Sequence, residues 1–149
     1  MAVMLEIIYA SSATKPFRDD ELGALLTRAR INNTRLGVTG MLLYDSGSFL
    51  QALEGDPLVV KKLFDKIGAD SRHKRIVKLS ESVTKERAFK DWSMGLLSLN
   101  RLRMLEAGVP PAFGARTELP DFTAGGDVSR AREMMVAFCQ GRWRTYVEA

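Results

Sequence analysis

Apolar residues recur with a period of two from Val3 to Ala10, which places Val3, Leu5, Ile7 and Tyr9 on one face and predicts a first strand. Pro16 ends the loop that follows. Asp19 or Asp20 is placed to cap a helix reaching about Asn33, with Leu22, Leu25, Leu26 and Ala29 as its apolar stripe. The next position on that stripe is Asn33, so an amide ends the helix on its inward face. An Asn at a helix C-terminus is also a common left-handed cap, and the pattern leaves both readings open.

A hairpin comes next. Val38–Tyr44 is rich in strand formers, Asp45-Ser46-Gly47-Ser48 supplies the turn, and Phe49–Leu53 returns. Alternation puts Phe49, Gln51 and Leu53 on one face and Leu50, Ala52 and Glu54 on the other. Gln51 is then an amide between two large apolar neighbours on a core face. A buried amide left unpaired costs roughly 1–3 kcal/mol, so it needs a partner. Asp56-Pro57 predicts a second helix start, with Val60, Leu63, Phe64 and Ile67 as its stripe and Gly68 near its end. After the polar loop Ala69–Arg75 come two more predicted strands, Arg75–Val83 and Trp92–Leu99. In the latter Trp92, Met94 and Leu96 share a face.

The order β-α-β-β-α-β-β, with two helices separated by a hairpin, predicts an α+β fold. It is a ferredoxin-like sandwich with both helices on one face of the sheet. Residues 1–100 would form this domain and residues 101–149 a C-terminal extension. In the extension, Leu99–Ala107 suits a short helix, Gly108–Gly126 is rich in Pro and Gly, and a capped helix runs from Asp127 or Ser129 to about Gln140. Its stripe of Val128, Ala131, Met135 and Phe138 is expected to cover the sheet face that the first two helices leave bare.

Composition narrows the function classes. The apolar fraction of 46% is ordinary for a globular core. Charges interrupt every apolar run before it reaches membrane-spanning length, and the N-terminus lacks signal-peptide features. No membrane partner is expected, and a cytoplasmic location is. With one cysteine, Cys139, and one histidine, His73, neither an internal disulfide nor a structural zinc site is available. The net charge of +4 comes from scattered residues and reads as a solvated surface, so no nucleic-acid partner is expected. There is no dinucleotide fingerprint and no Walker loop.

The constellation that stands out is Tyr9, Gln51 and either Trp92 or Met94 on the helix-facing side, with Asn33 opposite them. It contains no hydrolytic set, and Glu54 lies on the wrong strand face to serve as a base for it. Two readings remain from spacing alone: a buried polar network satisfied internally, or a slot whose amides meet the edge of a flat heterocycle. Two other functions share the topology. An acylphosphatase-like enzyme would want a glycine cradle after the first strand, where Ser11-Ser12-Ala13-Thr14 stands. A nucleic-acid-binding sheet would want exposed aromatics.

The ordered set Ile8-Tyr9-Ala10-Ser11, Ala29-Arg30 with Asn32-Asn33, Gly37-Val38-Thr39-Gly40-Met41-Leu42-Leu43-Tyr44, Phe49-Leu50-Gln51, Leu53-Glu54-Gly55, Asp70 with Arg72-His73, and Arg87, Phe89, Trp92-Ser93-Met94-Gly95 resembles the BLUF domain, a blue-light sensor that holds a flavin. The resemblance covers about residues 1–100. The remainder resembles the short members, whose C-terminal helices follow the sensor with no fused effector.

The resemblance implies a photoreceptor and not an enzyme. The flavin would be FAD, the family's usual occupant, though FMN or riboflavin would also fit the ring contacts. Gln51 would bridge Tyr9 and the flavin edge, and Asn33 would bond the pyrimidine edge with Asn32 beside it. Arg72, with Asp70 as its local partner, His73 and Phe49 would flank the ring, and Arg30 would face the phosphates or solvent. After blue light, Tyr9 would give up an electron and then a proton through Gln51. The Gln51 amide would be left with a changed hydrogen-bond pattern. Trp92 and Met94 would compete for the space beside it and carry the change to the C-terminal helices. The resemblance further implies a homo-oligomer and a separate downstream signalling protein, of the cyclic-dinucleotide enzyme or response-regulator class.

Overall fold

A computed structural model of the protein describes residues 3–89, 93–98, 133, 134, 137 and 138. The elements are β1 (Met4–Ala13), α1 (Asp19–Leu36), β2 (Thr39–Asp45), β3 (Ser48–Gly55), α2 (Pro57–Gly68), β4 (His73–Thr84) and β5 (Gly95–Ser98). They build one sheet in the order β4-β1-β3-β2-β5. β4, β1, β3 and β2 pair antiparallel, and β5 adds parallel to the outer edge of β2. The ferredoxin-like sandwich predicted from the chain is the fold observed.

Local chemistry explains the boundaries. Ser46 and Gly47, at φ 48° and 93°, both take left-handed backbone, as a two-residue hairpin turn requires, and Asp45 pairs with Ser48 across it. Asp56 caps α2 as expected, accepting the Leu58 and Val59 N–H groups at 3.1 and 3.3 Å, with Pro57 at the first helical position.

At α1 two expectations are corrected. The N-cap is Arg18, whose N–H is held by the Glu21 carboxylate at 3.1 Å; Asp19 and Asp20 lie inside the first turn, where negative charge complements the helix dipole. The helix also continues past Asn33 to Leu36 and ends on Gly37 at φ 70°, so Gly37 is the left-handed residue and Asn33 is not.

Both sheet faces are packed. On the helix side, Leu5, Ile7, Tyr9, Leu42, Phe49 and Leu53 meet Leu22 and Leu26 of α1 and Val60 and Leu63 of α2. On the other side, Ile8, Ala10, Met41, Leu43, Leu50 and Ala52 meet Phe89 and the helical residues Met134 and Phe138. Phe138, from the predicted C-terminal stripe, is fully buried on this second face. Val128, Ala131, Met135, the predicted helix at Leu99–Ala107 and the Pro/Gly segment lie outside the described residues. Among the described residues, no helix is long and apolar enough to cross a membrane.

One boundary shifts what the site contains. β5 begins at Gly95, so Met94 precedes the strand rather than lying within it. Trp92 lies outside the described residues.

Candidate functional site

The β1–β3 ladder places Tyr9 directly opposite Gln51 on the helix-facing side of the sheet. The Tyr9 hydroxyl donates to Gln51 Oε1, and Gln51 Nε2 donates to Met94 Sδ at 3.5 Å. All three residues are buried. Thioether sulfur is a weak acceptor, so one end of the Gln51 amide is well bonded and the other poorly. Burial pushes the Tyr9 phenol well above its ordinary range, with the Asp70 charge adding to the effect, so Tyr9 stays protonated and donates.

From the opposite wall, α1 holds the segment before β5. Asn33 Nδ2 donates to the Ser93 carbonyl and Arg30 Nε to the Met94 carbonyl, both at 2.9 Å. Met94, and through it the weak end of Gln51, is therefore positioned by α1. Asn33 Oδ1 is the acceptor that this buried amide can offer to the cavity it lines. Gly40, on β2, lets the strands close up here: a Cβ at this position would stand 2.0 Å from the Ala52 carbonyl oxygen and 3.4 Å from Met94 Cε.

Between the sheet and the two helices lies a cavity of about 400 Å³. That is within the range of small-molecule sites, roughly 300–1,000 Å³. Tyr9, Leu42, Phe49, Gln51 and Leu53 line it from the sheet, Leu25, Ala29, Asn32 and Asn33 from α1, and Leu63 and Ile67 from α2. Asp70 and Arg72 line it from the α2–β4 connection and His73 from the start of β4. Arg72 grips Asp70 through Nη2 at 2.5 Å and Nε at 3.0 Å, and this pairing draws the Asp70 carboxyl down to about 2. His73 Nε2 lies 2.5 Å from the Ile67 carbonyl, which can only accept, so Nε2 carries a hydrogen; Nδ1 is in hydrogen-bond contact with Ser11 Oγ at 2.9 Å. Asn32 Oδ1 accepts from Arg35 Nη2 at 2.6 Å.

The structure thus brings Tyr9, Gln51, Met94 and Asn33 together, with Asn32, Phe49, Asp70, Arg72 and His73 around the same cavity. Arg30 is not among the lining residues, and its Nε donates to the Met94 carbonyl. Sequence reasoning missed Phe17, Arg28 and Lys66, which also line the cavity. Arg28 sits one turn before Asn32 on α1, and Lys66 one turn before Asp70; this spacing is the signal that would have found them.

Glu54 is on the other face, as its parity requires. It is almost fully buried; Oε1 accepts from Thr39 Oγ1 at 2.8 Å and from the Phe89 N–H at 2.7 Å, and Oε2 accepts from the Ala88 N–H at 2.8 Å. Burial raises its carboxyl above the usual range, while these donors and Arg87 pull it back.

The two other functions lose support. β1 runs through Ala13, with Ser11 and Ser12 buried in the strand, so no anion cradle follows it. Among the described residues no aromatic side chain is exposed, and the sheet offers no stacking platform.

Residues 4–95 match the family model for BLUF, sensors of blue-light using FAD. Curated relatives include the beta subunits of photoactivated adenylate cyclase from Euglena longa and Euglena gracilis. The first is 34% identical over 62% of this chain, the second 36% over 59%. The chain spans about a tenth of the length of these relatives. Among solved structures, the dark state of the BLUF protein BlrB matches with TM-score 0.67 at 29% identity, covering 93% of this chain and 98% of that one. Klebsiella pneumoniae BlrP1 with FMN and cyclic diGMP matches with TM-score 0.69 at 26% identity, covering 93% of this chain and 35% of that one.

Proposed function

Because the chain belongs to the BLUF family of blue-light flavin sensors, we propose that it reports light through rearrangement of the Tyr9–Gln51 hydrogen-bond pair and passes the change to a separate signalling protein. The observation that carries this reading is the asymmetry of Gln51: a phenol on one end, only a thioether on the other, and an apolar cavity of heterocycle size beside it.

The residues present fit a flavin. Asn33 and Gln51 supply amides for the edge of the ring, Asn32 lies beside them, and Leu25, Phe49 and Ile67 supply apolar walls. A bound flavin would supply absorption of blue light and, once excited, a strong oxidant. The chain's own part is to hold and move a proton and to exclude water. Tyr9 Oη holds the proton, and Gln51 Oε1, already bonded to it, is the atom placed to receive it. An amide's two ends are nearly equal in shape and opposite in role. Once turned, Gln51 would present Nε2 where Oε1 stood, and its bond to Met94 Sδ would be lost. Met94 is tied through its carbonyl to Arg30, so a change at Gln51 is felt at the entry to β5. A switch needs contacts that differ between two states, and Gln51 supplies them without net chemistry.

The output would pass through residues 101–149, since Met134 and Phe138 pack on the sheet face opposite the cavity. The relatives are named as adenylate cyclase subunits, and BlrP1 was solved with cyclic diGMP. A nucleotide cyclase, a cyclic-dinucleotide enzyme or a response regulator is the proposed class of partner, with a homo-oligomer of this chain as the signalling unit.

The test is the visible absorption of the purified protein in the dark and just after blue light. Flavin bands that shift slightly to the red and relax in darkness support the reading. Bands that do not move in the wild type, or a shift that persists in Gln51→Leu, overturn the Gln51 switch.

A further inference from the structure

Tyr44, near the end of β2, is buried on the helix-facing side of the sheet and stands opposite Phe49 in the β2–β3 ladder. Its hydroxyl oxygen accepts the Phe17 N–H at 2.8 Å, which ties the β1–α1 loop to the sheet. The start of that loop is held separately: the Thr14 N–H donates to the Arg72 carbonyl at 2.9 Å and the Thr14 hydroxyl to the Ser71 carbonyl at 3.2 Å. The bond at Tyr44 fixes where the Phe17 ring lies. That ring packs edge-on against Phe49, with centroids 5.4 Å apart and planes at 86°, and against Tyr44 at 6.1 Å. Tyr44 and Phe49 close the triangle at 4.8 Å. Phe17 and Phe49 line the main cavity, and Tyr44 does not.

We infer that Tyr44 is a positioning residue for the light response: by holding Phe17 against Phe49 it keeps the loop-side wall of the cavity closed, and so sets how slowly the rearranged Gln51 reverts in darkness. The inference rests on the Gln51 switch proposed above and extends it to the rate of its return. Phe49 and Gln51 alternate onto the same side of β3, so the wall that Phe17 completes is continuous with the space in which the amide turns. To turn back, Gln51 must give up its bonds while buried, and a buried amide without partners is costly. Water reaching it would bond the amide during the turn and lower that barrier. Aromatic rings packed edge to face leave water no room. Tyr44 lines no part of the cavity, so its influence runs through Phe17. The hydroxyl is what matters, because a phenylalanine ring offers the Phe17 N–H no acceptor oxygen.

The test compares the full chain, as purified, with Tyr44→Phe, which keeps the packed ring and removes the acceptor. The readouts are the light-minus-dark difference spectrum, its decay in darkness, and hydrogen exchange at the Phe17 amide in the dark. Tyr44→Phe is expected to keep the size of the red shift, to recover about fivefold faster, and to exchange the Phe17 amide faster. Phe17→Ala takes away the wall itself and should recover at least as fast. Adding Tyr44→Phe to Phe17→Ala should bring no further acceleration, because Tyr44 acts through Phe17. Recovery at the wild-type rate in Tyr44→Phe overturns the inference, even where the Phe17 amide is freed or the variant is less stable. Accelerations that multiply in the double variant overturn it too, since Tyr44 would then act by another route. A wild type that holds flavin and shows no red shift would remove the Gln51 switch itself, and this inference with it.

Discussion

Tyr9 and Gln51 are cross-strand partners, and the Tyr9 hydroxyl donates to the side-chain carbonyl of Gln51. The pair is formed by residues 42 positions apart in sequence, and the sheet register alone brings them together. Removing either half removes this hydrogen bond but leaves the walls of the cavity. Tyr9→Phe and Gln51→Leu are both expected to retain flavin and to lose the light-induced shift. Difference spectra before and after blue light check this; continued cycling in Tyr9→Phe would mean that another residue supplies the electron.

Asn33 ties α1 to the Ser93 carbonyl and lines the cavity. Asn33→Ala removes that bond and leaves a part-buried carbonyl short of a donor, a loss of about 1–3 kcal/mol. Urea unfolding of the flavin-free protein should show that loss. Flavin occupancy after purification should fall as well, whereas a purely structural Asn33 would lower stability and leave occupancy unchanged.

How much of this was legible in the sequence follows from how local each signal is. Period-two alternation placed Gln51 between Phe49 and Leu53, and the stripe of Leu22, Leu25, Leu26 and Ala29 pointed Asn33 inward, because both depend only on backbone periodicity. Asp56-Pro57 marked a helix start through chemistry contained in two adjacent residues. The end of α1 was read too early, because Asn33 resembles a cap and the true left-handed residue, Gly37, also opens the hairpin motif. Arg30 Nε bonds a backbone carbonyl 64 residues away, a partner that no local pattern announces. The parallel pairing of β5 with β2 and the start of β5 after Met94 are likewise tertiary outcomes. Arg28 and Lys66 were passed over because charged residues on helix surfaces are ordinarily solvated.

Asp70 gives a pH dependence with a definite sign. Its pairing with Arg72 holds the carboxyl at about 2 in the folded chain, against about 3.9 for an unfolded aspartate. A depressed folded pKa contributes stability that is present above the unfolded value and lost as pH falls through the folded one. The pair is partly solvated, so the effect is small, about 1 kcal/mol or less. Comparing wild type with Asp70→Asn by chemical unfolding should show a stability difference at pH 6 that shrinks from pH 4 toward pH 2. A difference that stays constant over that window would show that Asp70 acts through its hydrogen bonds and not its charge.

Gly40 is a packing constraint on the same site. A methyl group there would lie 2.0 Å from the Ala52 carbonyl oxygen, and the obstacle is backbone, which cannot swing away. Gly40→Ala should push β2 from β3 and disturb Met94, whose Cε is the next nearest neighbour. A fall in stability of about 1–3 kcal/mol is expected, together with an altered dark spectrum of the bound flavin. Wild-type stability in this variant would show that the strands can separate at little cost.

Glu54 links the hairpin that carries Gln51 to the segment that leads toward Met94. Its carboxylate takes the Ala88 and Phe89 N–H groups, and Phe89 packs on the second sheet face with Phe138. Arg87 reinforces the junction, donating to Thr39 Oγ1 at 2.8 Å and to the Gly37 carbonyl at 2.8 Å. Every ligand of the carboxylate is a donor, so a side chain with a donor of its own fits badly. Glu54→Gln keeps the shape but turns an NH₂ toward an N–H or hydroxyl, at a cost of about 1–3 kcal/mol. Glu54→Ala removes the acceptor and leaves the same donors buried and unbonded. Both variants should therefore lose stability and speed hydrogen exchange at the Ala88 and Phe89 amides, while Tyr9 and Gln51 keep their bond. If Glu54→Gln left those amides protected, the 87–89 segment would be held by Phe89 packing and the Arg87 bonds rather than by the carboxylate.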